Sequence, residues 1–397
     1  MLRIVLTIVL LVTGFTIIVD GCKSPKEEGK PVKTKSTADD FGKIDALPVE
    51  YKSPKDNPST PEKIELGRLL FYDPILSGEK DVACATCHHP EFGYAESLEL
   101  SIGVNGKGLG ERRTFNRHND IPFTKRNSQS LLNVVFNGID NDGDYIPEEA
   151  PMFWDLRAKG LEEQATFPVK TLEEMRGHSF KEDSIANEVA KRVNKIREYK
   201  QLFKKSFPEC DTITIQYITK ALAAFERSLV ANNSRFDKYM RGDKNALSAR
   251  ELDGMKEFIK AGCARCHSGP MLSDFKLHVL GVQENEKNAV QDSGYNNTYA
   301  FRTPTLRNLR VTRPYMHSGK IQTLDNVLLF YEDLRGKPPP NKSVTQDNLD
   351  SLAQMVKVEF KNIDAIVEFL NTLNDDNYDR RIPDRVPSGL PVGGMIK

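Results

Sequence analysis

Two copies of one short motif constrain this chain more than any other feature of its sequence. They are Cys84-x-x-Cys87-His88 and Cys263-x-x-Cys266-His267. The pattern is the attachment signature of c-type haem, in which two thiols add to the porphyrin vinyl groups and the histidine becomes an iron ligand. The motifs therefore predict two covalently bound haem c groups.

A zinc half-site and a redox dithiol are the alternatives for an isolated Cys-x-x-Cys pair. A zinc finger needs further cysteine or histidine ligands at finger spacing after the first pair. A thioredoxin-type dithiol needs no histidine directly behind it. Because both copies carry that histidine, the haem interpretation is favoured.

Length, charge and cysteine count narrow the class of protein. A chain of 397 residues suggests two or three domains. The 56 basic residues balance 56 acidic residues, which argues against nucleic acid as a partner. Four of the six cysteines are committed to haem, so a disulfide scaffold is excluded, and Cys210 is expected to be a buried structural thiol.

The N-terminus has the pattern of an export signal. One arginine precedes a short apolar run, and the sequence Val19-Asp20-Gly21-Cys22 is similar to a bacterial lipobox. We predict a lipoprotein-type signal peptide over residues 1–21 and a lipid on Cys22 that tethers the protein to a membrane; an uncleaved anchor is the alternative. Residues 22–58 are rich in Lys, Pro, Ser, Thr and Gly, which predicts a flexible tether.

The remaining sequence predicts a mainly α protein. Thr60 and Pro61 have the pattern of a helix start, and Ser248 with Glu251 forms a capping-box pattern before the second motif. Apolar spacing predicts further helices over residues 184–207, 212–231, 347–358 and 362–373. Two cytochrome-c-like haem domains in tandem are expected, an N-terminal domain over residues 59–235 and a C-terminal domain over residues 236–397.

Several longer stretches resemble the bacterial di-haem cytochrome c peroxidases and the related MauG-type enzymes. They are LGRLLFYDP at 66–74, FWDLR at 153–157, LEEQA at 161–165, PTLRN at 304–308 and PYMHSG at 314–319. In that family the N-terminal haem binds hydrogen peroxide and the C-terminal haem receives electrons. The resemblance implies that the two haems of this chain have the same two roles.

The resemblance also implies which residues act at the first haem. Glu174 matches the family's distal glutamate, which moves a proton between the peroxide oxygens, and Gln164 and Pro168 match its distal pocket. Residues 171–174 also read as a capping box, so a purely structural role for Glu174 is the alternative. Trp154, the only tryptophan, matches the residue that relays electrons between the haems; simple core packing is its alternative.

Two positions depart from the peroxidases that require reductive activation. Those enzymes carry a histidine ligand directly after a Ser-Ile-Gly, where this chain has Val104. We therefore expect the first haem to be five-coordinate and open to peroxide in the oxidised protein. His118, in the same loop, is the one alternative ligand, and a solvated loop histidine is the preferred interpretation.

The second departure concerns the far side of the C-terminal haem. By the family's spacing Tyr331 stands where the peroxidases have a methionine ligand, as it does in MauG-type enzymes. A phenolate stabilises oxidised iron, whereas a thioether favours the ferrous state. In the alternative, Tyr331 only packs and Met316 is the ligand.

The resemblance further implies one calcium ion held by Asn127, Thr312 and Pro314. His278 and His317 are expected to form hydrogen bonds around the haems rather than to bind iron. The partners implied are hydrogen peroxide and a small redox protein, either a cytochrome c or a cupredoxin, or a protein substrate. Periplasmic or cell-envelope localisation is expected, and a homodimer stays open.

The function expected from these features is reduction of hydrogen peroxide to water with electrons from an external donor. A MauG-type oxidase that uses peroxide to oxidise residues of a partner protein is the first alternative. The second alternative is a di-haem electron-transfer protein without catalysis.

Overall fold

A computed structural model describes residues 42–397 of the chain. The helices are α1 Pro61–Phe71, α2 Cys84–Cys87, α3 Gly160–Gln164, α4 Thr166–Lys170, α5 Glu182–Asn194, α6 Arg197–Ser206, α7 Ile215–Arg227, α8 Arg235–Met240, α9 Ala249–Lys260, α10 Leu324–Asp333, α11 Ser351–Met355 and α12 Ile363–Asn371. The strands form three antiparallel pairs: β1 Gly106–Lys107 with β2 Thr114–Phe115, β3 Pro151–Met152 with β4 Ala158–Lys159, and β5 Leu277–Val279 with β6 Ala300–Arg302. The predicted mainly α class is confirmed.

The N-terminal end of α1 follows directly from its sequence. Thr60 accepts a hydrogen bond from the backbone N–H of Lys63, and Pro61 occupies the first helical turn, where a missing N–H costs nothing. The predicted capping box at α9 is also present, because the Ser248 side chain and Glu251 bond reciprocally.

One helix-crossing arrangement occurs twice. In the first, α1 crosses α7, and a Cβ atom added to Gly67 would lie 2.0 Å from the carbonyl oxygen of Ala221. In the second, α9 crosses α12, and a Cβ atom on Gly254 would lie 1.9 Å from the carbonyl oxygen of Ala365. Each crossing is close because a glycine occupies the contact, and each helix pair accompanies one haem motif.

Two large clusters of buried side chains correspond to these crossings. The first contains mostly residues between 66 and 231, and the second mostly residues between 236 and 373. The C-terminal tail returns to the first cluster, where Tyr378 and Val386 are buried. The domain boundary at residues 235 and 236 stays a prediction.

The predicted tether extends too far towards the C-terminus. Residues 42–58 pack on the folded protein: Ile44 pairs with Gly269, Leu47 is 1% exposed, and the Asn57 amide donates to Glu162. A few apolar side chains and backbone partners are enough to hold a segment whose overall composition is polar. The predicted signal peptide, the lipid on Cys22 and the rest of the tether lie outside the described residues.

Two predicted helices are shorter or divided. Residues 184–207 form α5 and α6, which are separated at Lys195 and Ile196, and residues 347–358 contain only the five-residue α11. Within residues 42–397, none of the helices combines the length and the apolar character that a membrane crossing requires. Cys210 is buried, as expected.

Candidate functional site

Both haem motifs open onto one cavity of about 640 Å³. The first motif forms α2, and the second forms a 3₁₀ turn at Cys263–Arg265. In both motifs the cysteines and the histidine are partly exposed towards the cavity, whereas Ala85, Thr86 and Ala264 are buried behind them. The reactive groups of each motif therefore face the same space.

The histidines of both motifs are held in the orientation that an iron ligand needs. The Nδ1 atom of His88 lies 3.0 Å from the carbonyl oxygen of Tyr94, and the Nδ1 atom of His267 lies 2.9 Å from that of Leu272. A carbonyl can only accept, so Nδ1 donates and Nε2 keeps its lone pair. Burial lowers the pKa of both imidazoles, which favours the neutral form that binds metal.

The residues present therefore fit haem c at both motifs. Two thiols and one oriented neutral imidazole face the cavity at each motif, and the remaining wall is largely apolar, with Leu132, Met152, Leu328 and Leu370 among its residues. That combination of donors matches the covalent attachment and single proximal ligand of c-type haem.

The wall next to the first motif brings Gln164, Pro168 and Glu174 to the same cavity. Gln164 ends α3, Pro168 lies in α4, and Glu174 lies in a π-helical turn, Leu172–Arg176. The three residues that the resemblance assigned to the distal pocket thus line the same cavity.

Glu174 is not part of a capping box. Thr171 makes no side-chain capping bond; its hydroxyl donates to the carbonyl oxygen of Phe167 at 2.9 Å. The capping-box interpretation of residues 171–174 is therefore wrong, and the proton-transfer role of Glu174 stays a prediction. Removal of water by the surrounding protein raises the pKa of Glu174 to about 7, with the Arg157 guanidinium opposing the shift and Glu173 adding to it.

The loop of residues 101–104 packs against the Glu174 turn. A Cβ atom on Gly103 would lie 2.2 Å from the carbonyl oxygen of Glu173 and 2.3 Å from that of Glu174. Val104 is 1% exposed and belongs to the first buried cluster. His118 is exposed, and the histidines that line the cavity among residues 42–397 are His88, His267, His278 and His317.

Trp154 lines the cavity that the two motifs share, and it is 8% exposed. Its indole N–H donates to the carbonyl oxygen of Asn127 at 3.0 Å, and its own carbonyl oxygen accepts from the backbone N–H of Arg302 at 2.7 Å. The ring meets His317 edge to face, with centroids 6.4 Å apart. These contacts fix the indole in one orientation.

Near the second motif, both candidate ligands line the cavity. Tyr331 lies on α10, and Met316 lies in the preceding loop. Burial raises the pKa of Tyr331 well above its ordinary value, and the charges of Cys266 and Cys263 add to the shift. Tyr331 thus lines the same cavity as Cys263 and Cys266, the attachment cysteines of the second motif.

His278 and His317 differ in their contacts. The two ring nitrogens of His278 lie 2.9 Å from Asp350 and 3.0 Å from Asp274, which confirms the expected hydrogen bonding. His317 instead stacks on Phe301 with centroids 3.6 Å apart, and its Nε2 atom lies 3.6 Å from the Glu284 carboxylate. Its hydrogen bonding around the haems stays a prediction.

The three residues assigned to calcium all border the cavity. Asn127 is anchored through its side-chain amide, which donates to the carbonyl oxygen of Leu98 at 2.8 Å. Asn127, Thr312 and Pro314 offer carbonyl oxygens, the donors that a hard cation prefers.

Two cavity residues were missed by the sequence analysis. Glu226 on α7 has a buried carboxylate oxygen without a partner, and burial raises its pKa to about 8. Arg302 on β6 donates to the carbonyl oxygen of Phe153 at 2.9 Å, and burial lowers its pKa to about 10. A charged residue on the apolar face of a predicted helix, as at Glu226, was the available signal.

Comparisons with known proteins agree with one another. A family model for di-haem cytochrome c peroxidases matches residues 61–245. The methylamine utilization protein MauG of Methylorubrum extorquens is 33% identical over 294 residues, which cover 72% of each chain. The cytochrome c551 peroxidase of Nitrosomonas europaea is 31% identical over 339 residues, which cover 83% of this chain and 85% of the relative.

A solved structure extends the agreement to three dimensions. The crystal structure of a MauG-like protein associated with microbial copper homeostasis superposes with a TM-score of 0.66 at 25% identity. The match covers 83% of this chain and 95% of that chain.

Proposed function

The chain belongs to the di-haem cytochrome c peroxidase family, which includes MauG, and on that premise we propose that it reduces hydrogen peroxide at the His88 haem with electrons that enter through the His267 haem. As a member of this family it is an oxidoreductase that acts on peroxide. When attached, haem c supplies an iron that binds peroxide at the first site and an iron that carries single electrons at the second.

The chain's own residues would hold the two groups in distinct ways. Cys84, Cys87 and His88 would hold the first haem, and Tyr331 would be a second iron ligand for the haem held by Cys263, Cys266 and His267. Tyr331 and Met316 both line the cavity, and the family's spacing supports Tyr331 over Met316. A phenolate ligand lowers the reduction potential relative to a thioether.

Glu174 is the proton carrier in this proposal. Cleavage of the O–O bond requires one oxygen to lose a proton and the other to gain it. A carboxyl with a pKa of about 7 exchanges protons near neutral pH, where an ordinary glutamate stays ionised. Gln164, on the same cavity wall, orients the bound peroxide by hydrogen bonding.

The single observation that carries the proposal is the packing of residues 101–104. Val104 is buried in the first cluster and Gly103 touches the backbone of the Glu174 turn, so a loop that could supply a sixth ligand is committed to the protein core. The first iron is therefore accessible without prior reduction. Trp154, fixed in the shared cavity, provides the electron path between the two haems.

Mixing the oxidised protein with peroxide and a reduced c-type cytochrome tests the proposal. Two cytochromes should be oxidised for each peroxide, without a pre-reduction step. Glu174→Gln serves as the control that keeps the haems and removes the proton carrier. Peroxide consumption that starts only after the enzyme is reduced would contradict the proposal.

A MauG-type oxidase is the second candidate, and Tyr331 favours it because a low-potential second haem accepts electrons poorly from ordinary cytochromes c. Mass spectrometry of candidate partner proteins after peroxide treatment would detect a cross-linked or hydroxylated aromatic residue. A protein with only electron-transfer activity would leave peroxide unchanged in both assays.

We further propose one calcium ion at Asn127, Thr312 and Pro314, since the three residues border the same cavity and each offers a carbonyl oxygen. Two haem domains divided near residue 235 and a lipid on Cys22 complete the proposal. Export from the cytoplasm also belongs to it, because c-type haem is attached outside the cytoplasm. Chelation followed by metal analysis tests the calcium, and mass spectrometry of the mature N-terminus tests the lipid.

A further inference from the structure

The side chain of Arg113 is 2% exposed and makes its hydrogen bonds to main-chain carbonyl oxygens. Its guanidinium donates to the carbonyl oxygens of Ile102, Gly103 at 2.6 Å and Gly108 at 3.0 Å. A fourth bond, at 3.2 Å, reaches Met395 in the C-terminal tail. The planar guanidinium, with five donors, can hold several carbonyl groups at once, which a lysine cannot do in the same geometry.

The C-terminal tail connects this cluster to the first haem motif. The carbonyl oxygen of Gly393 accepts from the hydroxyl of Thr86, which lies between the two attachment cysteines, at 2.8 Å. Gly394 pairs with Val82, and the Met395 carbonyl oxygen also accepts from the backbone N–H of Gly108 at 2.9 Å. The tail thus bonds to the haem motif on one side and to Gly108 and Arg113 on the other, and Arg113 in turn bonds to Ile102 and Gly103 of the loop.

The loop of residues 101–104 also contacts the Glu174 turn. Gly103 packs against the carbonyl oxygens of Glu173 and Glu174, and on the other side the backbone N–H of Gly78 donates to the carbonyl oxygen of Met175 at 2.7 Å. An irregular loop has few hydrogen bonds of its own, so donors from elsewhere determine its position.

We propose that Arg113 and the tail residues Gly393–Met395 form a positioning device that keeps residues 101–104 docked beneath the Glu174 turn. The device holds the Glu174 carboxyl at the cavity in every redox state, so the distal pocket is assembled before any electron arrives. Arg113 acts through the loop and is not among the residues that line the cavity, which makes it a positioning residue. The inference rests on the proposed role of Glu174.

Hydrogen exchange of the full-length holoprotein tests this device directly. Arg113→Met removes the four bonds, whereas Arg112→Met, at the exposed neighbouring residue, is the matched control. Exchange in peptides covering residues 99–108 and 170–178 should accelerate roughly tenfold or more in Arg113→Met and stay unchanged in Arg112→Met. Arg113→Lys should give an intermediate acceleration, since the ammonium replaces only part of the donor set.

A second pair of variants tests the contribution of the C-terminal tail. In Gly394→Ala the added Cβ would lie 2.3 Å from the carbonyl oxygen of Asp81, whereas in Gly389→Ala it meets nothing within 4 Å, and both glycines have a positive φ. The backbone strain is thus matched, and only Gly394→Ala displaces the tail. The same two peptides should exchange faster in Gly394→Ala than in Gly389→Ala.

The pH profile supplies a readout that a merely structural role would not change. Loosening of the turn lets water reach Glu174, so the midpoint of the peroxide reaction should move to lower pH in Arg113→Met. Three results would overturn the inference. Hydrogen exchange could accelerate in residues 99–108 but not in residues 170–178, it could accelerate equally in all peptides, or it could stay unchanged in folded variants. Failure of the wild-type protein to react with peroxide would instead refute the proposed function and leave the exchange result standing.

Discussion

Gly103→Ala is the perturbation that most sharply probes the geometry of the distal pocket. The added Cβ atom would lie 2.2 Å from the carbonyl oxygen of Glu173 and 2.3 Å from that of Glu174, whereas ordinary contacts begin near 3.4 Å. Both neighbours are backbone atoms, which cannot rotate out of the way. The loop or the turn must therefore move by about 1 Å.

A movement of that size has a calculable consequence. A misplacement of about 1 Å in a catalytic group lowers a rate by roughly 10²-fold, and overpacking costs about 1–3 kcal/mol of stability. We therefore expect Gly103→Ala to remain folded with both haems attached, and to react with peroxide roughly 10²-fold more slowly than the wild-type protein.

Stopped-flow absorbance of the oxidised protein after mixing with peroxide gives the second-order rate constant. Gly336→Ala is the control, because its Cβ atom would meet nothing within 4 Å, and its rate should stay within about twofold of wild type. A folded Gly103→Ala protein that reacts within about threefold of wild type would refute the claim that this contact positions Glu174.

The remaining predictions concern single residues of the site. Glu174→Gln should slow the peroxide reaction by roughly 10²–10⁴-fold, and equal rates in the two proteins would rule out proton transfer by this carboxyl. Because the ionised carboxyl accepts the first proton, the wild-type rate should rise with pH through about 7, the pKa of Glu174, and the rise should be absent from Glu174→Gln. Tyr331→Met should raise the potential of the second haem by on the order of 0.1 V, within the ~0.8 V range that axial ligands span, while Met316→Leu leaves it unchanged; spectroelectrochemistry that gives the reverse pattern would assign the ligand to Met316. Trp154→Phe should leave the first haem reactive and slow oxidation of the second, as followed by optical spectra after one equivalent of peroxide, and an unchanged rate would remove Trp154 from the electron path.

The haem motifs could be predicted because their chemistry is local. Attachment needs two thiols and an imidazole within five residues, so Cys84, Cys87 and His88 predict a haem site without reference to the rest of the chain. The caps of α1 and α9 are local in the same sense, since Thr60 and Ser248 bond within one helical turn.

Features that depend on contacts between distant residues could not be predicted. The polar composition of residues 42–58 gives no indication that Leu47 is buried, because its backbone N–H donates to Asp237, 190 residues away. The roles of Gly103 and Arg113 likewise depend on the Glu174 turn and on Met395 in the tail. The apolar face of α7 was a signal that Glu226 is buried, but helical periodicity does not reveal the crossing of α7 with α1 or the cavity that Glu226 lines.

The central claim is that the two irons differ, the first with an accessible face and the second closed by Tyr331. An electron paramagnetic resonance spectrum of the fully oxidised resting protein measures this difference directly. We predict equal amounts of one high-spin and one low-spin ferric haem, with only the high-spin signal changing when peroxide or an exogenous ligand is added. Two low-spin haems at rest, neither of which changes on that addition, would contradict the account.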